Sequence, residues 1–167
     1  RCAKIQWGVM LTVYCISHAP ALVTLSLKSA DAEFDPVLLL LFLILVVQLS
    51  DVLQYVCGKL WGRHKLAPGV SPSKTVEGLV GGCGLAVLAG MLLSCITPFT
   101  FWQAGLLSLA IVTGGAVGGL VLSAVKRDMG AKDWGNTIKG HGGFMDRMDS
   151  VCFSAPLFFH LVRYYFT

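Results

Sequence analysis

The chain has 167 residues, 55% of them hydrophobic and 13% charged, with a formal net charge of +4 and a mean hydropathy of +0.72. An ordinary soluble domain carries roughly 25% charged residues, so this composition excludes one and points to a membrane protein. A net charge this small gives no ground for a nucleic-acid partner, and none is expected.

The sequence opens on Arg1 rather than Met, which leads us to expect that it is the later part of a longer gene product. The length fits a single membrane-embedded domain, 1–167, with about five spans of ~20 residues each. The first apolar segment, 6–27, follows Arg1 and Lys4 and ends on no clear small-residue cleavage site. It therefore reads as a span and not as a secretory signal. The next apolar segments cover roughly 36–56, 77–97, 101–122 and 150–166. The last is short and contains Pro156, His160 and Arg163, so a tilted or re-entrant helix is the alternative there. The predicted fold is an all-α, polytopic helix bundle with a polar cavity facing the cytoplasm.

Charge sorts the connections. Placing the N-terminus in the cytoplasm puts eleven of the thirteen Lys and Arg residues on that side, all but Lys28 and Arg163. The positive-inside rule then fixes the orientation. The six cysteines form no CxxC pair and read as small hydrophobes, not as a zinc site or a disulfide framework.

Glycines spaced four apart, Gly78 and Gly82, Gly114 and Gly118, Gly115 and Gly119 followed by Ser123, let helices approach closely. The same spacing can also leave room for a ligand. In the second segment Gln48, Asp51, Gln54 and Tyr55 share a helical face. An acid at mid-membrane costs about 2.5–3.5 kcal/mol, so Asp51 needs a polar cavity, or else an interfacial partner such as Lys59 or Arg63.

The stretch SPSKTVEG, residues 71–78, carries a helix-start signal in which Ser73 or Thr75 caps and Glu77 sits in the first turn. Ser71, Ser73, Lys74 and Thr75 also suit a phosphate at a helix N-terminus. Residues 123–149 hold five bases and four acids. Asp146 and Asp149 are three apart and share a helical face. Two hard oxygen ligands suit Mg²⁺, which binds through one or two carboxylates plus substrate phosphates. The bland alternative is that both acids complement the positive end of the last helix. Lys126, Arg127 and Arg147 suit phosphate oxygens, and Gly140, Gly142 and Gly143 allow close backbone approach.

Taken together, Ser123, Lys126-Arg127, Lys132-Asp133, Gly135, His141-Gly142-Gly143 and Asp146-Arg147-Met148-Asp149 stand in the register of one family signature over 27 residues. They resemble the phosphatidate cytidylyltransferase (CDP-diacylglycerol synthase) family. Ser71-Pro72, Lys74-Thr75, Glu77-Gly78 and Gly81-Gly82 match a second family stretch. Asp51 and Tyr55, before Gly58-Lys59-Leu60, look like the family's acid–tyrosine element. The resemblance runs from about residue 48 to the C-terminus.

The resemblance implies an integral membrane enzyme, expected in the bacterial inner membrane with its site facing the cytoplasm. It would join CTP to phosphatidic acid or a related lipid phosphate, releasing pyrophosphate. The implied catalytic residues are Lys126, Arg127, Lys132, Asp133, His141 and Arg147. Asp51, Tyr55, Ser71, Lys74, Thr75, Ser123, Gly142 and Gly143 would bind CTP or the lipid phosphate, and Asp146 and Asp149 would hold Mg²⁺, with a second cation allowed for. Family members often pair as dimers, so a homodimer is a further expectation.

Two departures stand out. The family's acids before the Lys-Arg pair are replaced by Gly119 and Leu122, and its Pro-Gly before His-Gly-Gly by Lys139-Gly140. The first implies that the metal shell differs or that Asp51 or Asp133 compensates, and both together indicate a divergent subfamily. The alternatives are a non-catalytic lipid-binding or scaffold protein of the same fold, and a CTP-dependent lipid kinase.

Overall fold

The computed structural model describes residues 2–27, 34–131, 135 and 145–167; for residues 3–5 and 147 it describes the backbone only. The N-terminal segment is a run of helical turns: α1 (Cys2–Val9), a π-helical stretch (Met10–Cys15), α2 (Ile16–Ala21) and a 3₁₀ turn (Leu22–Thr24). Then come α3 (Val37–Trp61), strands β1 (Lys65–Ala67) and β2 (Ser71–Thr75), α4 (Val76–Leu92), α5 (Phe101–Asp128) and α6 (Met145–Phe166). The fold is an all-α membrane bundle, as expected, with one small hairpin added.

Four stretches, Gln6–Thr24, Val37–Trp61, Val76–Ile96 and Phe101–Asp128, are long and apolar enough to cross a membrane. Their outer faces leave large apolar side chains uncovered, among them Val80, Leu88, Leu92 and Leu106. In water such a surface would aggregate; in lipid it is the solvated face.

α6 is the fifth long helix and is not as apolar as the other four. It needs less grease because it lies inside the bundle. Val151, Cys152, Ala155, Phe158 and Val162 are at most 1% exposed, and the helix packs against α2, α3 and α5. It begins five residues earlier than the apolar segment and runs unbroken through Pro156. Its 22 residues rise roughly 33 Å. Phe158 and Phe42 of α3 meet Phe99 edge to face, the three ring centroids lying 5.8–6.4 Å apart. This cluster fills the end of the core remote from the polar loops.

Two glycine seams hold the bundle. Along α3 and α4, a Cβ on Gly78 would stand 2.7 Å from the Gly58 Cα, and one on Gly82 would stand 2.4 Å from the Gln54 backbone nitrogen. Along α5 and α6, a Cβ on Gly118 would collide with the Phe153 ring at 2.6 Å. Ser154 Oγ donates to the Ile111 carbonyl across this second seam at 2.7 Å. Bare backbones in contact replace the hydrophobic drive that helices lose in lipid.

The hairpin fills the connection between the second and third apolar segments. Pro68-Gly69 makes its turn, with Val70 N donating to the Ala67 carbonyl at 3.1 Å. Lys65 pairs with Thr75 and Ala67 with Ser71. Glu77 fastens its base, accepting from the backbone N–H groups of Arg63 and His64 and contacting His64 Nδ1 at 2.6 Å. Thr75 ends β2 and caps α4, its Oγ1 accepting from Gly78 N at 3.1 Å.

Both features give measurable expectations. Gly82→Val overfills the α3–α4 seam and should cost about 1–3 kcal/mol, whereas Gly84→Ala, with nothing within 4 Å of the new Cβ, should leave thermal unfolding in detergent unchanged or slightly later. Equal midpoints for the two variants would refute the seam. Thr75→Ala should cost about 1 kcal/mol as a lost cap, with Thr75→Ser recovering most of it in the same melt.

Candidate active site

The C-terminal end of α3, the hairpin, the N-terminal end of α4, the C-terminal end of α5 and the N-terminal end of α6 meet at one end of the bundle. Between them lies a cavity of about 260 Å³, just under the ~300–1,000 Å³ of pockets that take drug-sized ligands. Asp51, Gln54 and Tyr55 line it from α3, Ser73, Lys74 and Thr75 from β2, Gly119 and Ser123 from α5, and Asp146, Asp149 and Ser150 from α6. Leu66 and Leu79 close its apolar side. A larger hollow of about 660 Å³ runs along the far half of α6, but a single helix lines it and it carries no acid.

Of the two readings of Asp51, the structure takes the cavity: the carboxylate faces inward and Oδ1 accepts from Ser150 Oγ at 3.1 Å. Gln54 donates back to Ser50 Oγ at 2.7 Å, which holds this face of α3 in place. Gln48, one turn earlier on the same predicted face, is exposed and off the cavity wall.

Because α6 starts at Met145, Asp146, Asp149 and Ser150 occupy positions i, i+3 and i+4 of its first turns and point the same way. Asp149 Oδ1 accepts from Ser150 N at 2.8 Å. Asp146 Oδ1 is held by Lys126 Nζ at 2.8 Å, both side chains being 11% exposed. A carboxylate this deep is tolerable because its counter-charge is in contact with it. Ser123 turns its hydroxyl back onto the Gly119 carbonyl at 2.6 Å.

Not every predicted site residue reaches the cavity. Ser71 sits at the turn end of β2, paired with Ala67. Arg127 points to the hairpin, its Nε donating to the Val70 carbonyl at 3.2 Å. Lys132, Asp133, His141, Gly142 and Gly143 lie outside the described residues, as does the side chain of Arg147. Ser150 is the polar lining residue that sequence reasoning missed, besides the apolar Leu66 and Leu79. Its position four residues after Asp146 was the available signal.

The departures noted in the sequence fall in two different environments. Leu122 is 1% exposed and packs with Leu11 and Cys152 in an apolar cluster. Gly119 opens directly on the cavity, which Asp51 also lines. The described donors are hard oxygens: three carboxylates and several hydroxyls. No three His, Cys, Asp or Glu among the described residues form a ready-made cage. That chemistry fits Mg²⁺, which completes its shell with waters and substrate phosphate oxygens, better than it fits zinc.

A family model described as the cytidylyltransferase family matches residues 1–165. The chain is 43% identical over 163 residues to the uncharacterized protein YnbB of Escherichia coli K12, covering 97% of this chain and 54% of that one. It is 43% identical over 120 residues to a phosphatidate cytidylyltransferase of Staphylococcus saprophyticus, covering 71% and 46%. A Staphylococcus aureus protein of the same name is 42% identical over the same length and shares. The chain thus spans about half the length of these relatives, and it belongs to the cytidylyltransferase family.

Proposed function

We propose that this chain forms the catalytic end of an enzyme that transfers CMP from CTP to phosphatidic acid or a closely related lipid phosphate. A phosphate oxygen of the lipid attacks the α-phosphorus of CTP. A new P–O bond forms, the bond from the α-phosphorus to the bridging oxygen breaks, and pyrophosphate leaves with the electron pair. The observation that carries this reading is the cavity at the charged end of the bundle, where three carboxylates and the ammonium of Lys74 face one another. Transfer of this kind demands positioning and charge neutralisation more than covalent chemistry.

Asp146 and Asp149, with Asp51 opposite, would hold Mg²⁺, which when bound neutralises phosphate charge and orients the oxygens. Lys126 keeps Asp146 turned toward the cavity, and Lys74 meets an incoming phosphate. Ser150 fixes Asp51 and Asp149 relative to each other through its hydroxyl and its N–H. Tyr55, 66% exposed, stands at the rim, where an aqueous nucleotide and a membrane lipid can both arrive. Lys59, Arg63, Lys65, Lys126 and Arg127 crowd this end, so the positive-inside rule turns it to the cytoplasm of a bacterial inner membrane. The scaffold and lipid-kinase readings have no observation of their own behind them.

The test is purified full-length protein in nanodiscs with Mg²⁺, CTP labelled at the α-phosphate, and a panel of lipid phosphates. Label should move into lipid. Label left in CDP would indicate γ-phosphoryl transfer instead, and no transfer beside a working control enzyme would sink the proposal. Asp149→Asn keeps an oxygen for the Ser150 N–H, so it should fold normally. Its kcat should nonetheless fall at least ~100-fold, the scale of several kcal/mol that a metal's charge supplies. An unchanged rate would remove Asp149 from the metal shell.

A further inference from the structure

Lys74 is the only basic residue among the described residues that line the cavity. It projects from β2, half-buried, and among the described residues makes no hydrogen bond or ion pair. Lys126, the nearest comparison, is satisfied by Asp146. The charge of Lys74 acts on the carboxylates of both Asp51 and Asp149 without reaching either. An ammonium taken partly out of water with its donors unfilled is costly. The cost is recovered when an oxyanion enters.

What seats this ammonium is a missing side chain. A Cβ added at Gly119 would stand 2.9 Å from Lys74 Nζ and 3.7 Å from Ser150 Oγ. The other glycines of this stretch of α5 face α6: Gly114, Gly115 and Gly118 meet Leu157, Ser154 and Phe153. Gly119 alone among them has the tip of a lysine as its nearest neighbour. Lys74 Nζ therefore lies against the bare backbone of α5, in the cavity that Asp51 and Asp149 also line.

We infer that Gly119 is a positioning residue: its open face seats the Lys74 ammonium where that group takes an oxygen of the substrate's pyrophosphate portion. This rests on the nucleotidyl-transfer reading above for the identity of the substrate. The obstruction that any side chain at 119 would create falls on the far end of a flexible lysine, not on backbone. Gly119→Ala therefore moves the ammonium and spares the fold, so seat and stability can be separated. A carboxylate at the same place would capture the ammonium outright.

The test is calorimetric titration of inorganic pyrophosphate, and separately of CTP, into the full-length protein in nanodiscs with Mg²⁺. Wild type, Gly119→Ala, Lys74→Gln and the double variant are compared, with thermal unfolding run on each. Each single variant should weaken pyrophosphate binding about ten-fold, the size of one charge-assisted hydrogen bond. The unfolding midpoints should stay together. The double variant should bind no more weakly than Lys74→Gln alone, because Gly119 acts only through Lys74. Losses that add, or wild-type binding by either single variant, would overturn the inference. If Gly119→Ala melts early, Lys74→Gln decides alone: unchanged pyrophosphate binding overturns the role. Non-additive loss of pyrophosphate binding in a protein that transfers no CMP would sink the function and leave this inference standing. Transfer accompanied by additive losses would do the reverse.

Discussion

The contact on which this molecule depends is the close approach of α5 and α6. Gly114, Gly115 and Gly118 present bare backbone to Leu157, Ser154 and Phe153, and a Cβ at Gly118 would collide with the Phe153 side chain at 2.6 Å. The seam sets the distance between the C-terminal end of α5 and the N-terminal end of α6, and hence the reach from Lys126 to Asp146. It also fixes which face of α6 turns to α3, which is why Ser150 can bond to Asp51 from ninety-nine residues away. In lipid there is no hydrophobic penalty for separating helices, so shape and a few polar contacts must do what burial does in water. Ser154 on Ile111 and Lys126 on Asp146 are such contacts.

The hairpin solves a related problem. The connection from α3 to α4 must leave the membrane, turn and return while carrying a lysine to the cavity. An unstructured loop would hold Lys74 loosely and spend its binding energy on ordering. Pairing β1 with β2, clamping the base with Glu77 and tying the turn with Arg127 makes the lysine part of a fixed frame. Arg127, expected at a phosphate, stabilises the frame that carries another cation to the cavity.

Much of this was legible from the residues. The alternation of apolar segments and basic connections gave the bundle, and the three-residue spacing of Asp146 and Asp149 gave their shared face. Asp51 remained ambiguous until α3 was seen beside α6, because spacing along one helix cannot name a partner on another. The hairpin escaped because its strands are only three and five residues long, without alternating hydrophobicity, and Pro72 argues against a strand. Pro68-Gly69 was the overlooked turn signal. Ser150 escaped because a serine in an apolar helix looks like a small packing residue, and only the tertiary contact shows what its hydroxyl reaches. The wider reach of α6 was hidden by its acids, which broke the apolar run but not the helix.

The ion pair between Lys126 and Asp146 has a consequence for how such a protein is made. A nascent bundle must assemble in the bilayer, and a lone carboxylate at the base of α6 would resist burial at that moment. With a counter-charge built into the neighbouring helix, α5 and α6 can dock as an electrically neutral couple at this point. The pair thus serves the docking of two helices as well as the geometry of the cavity.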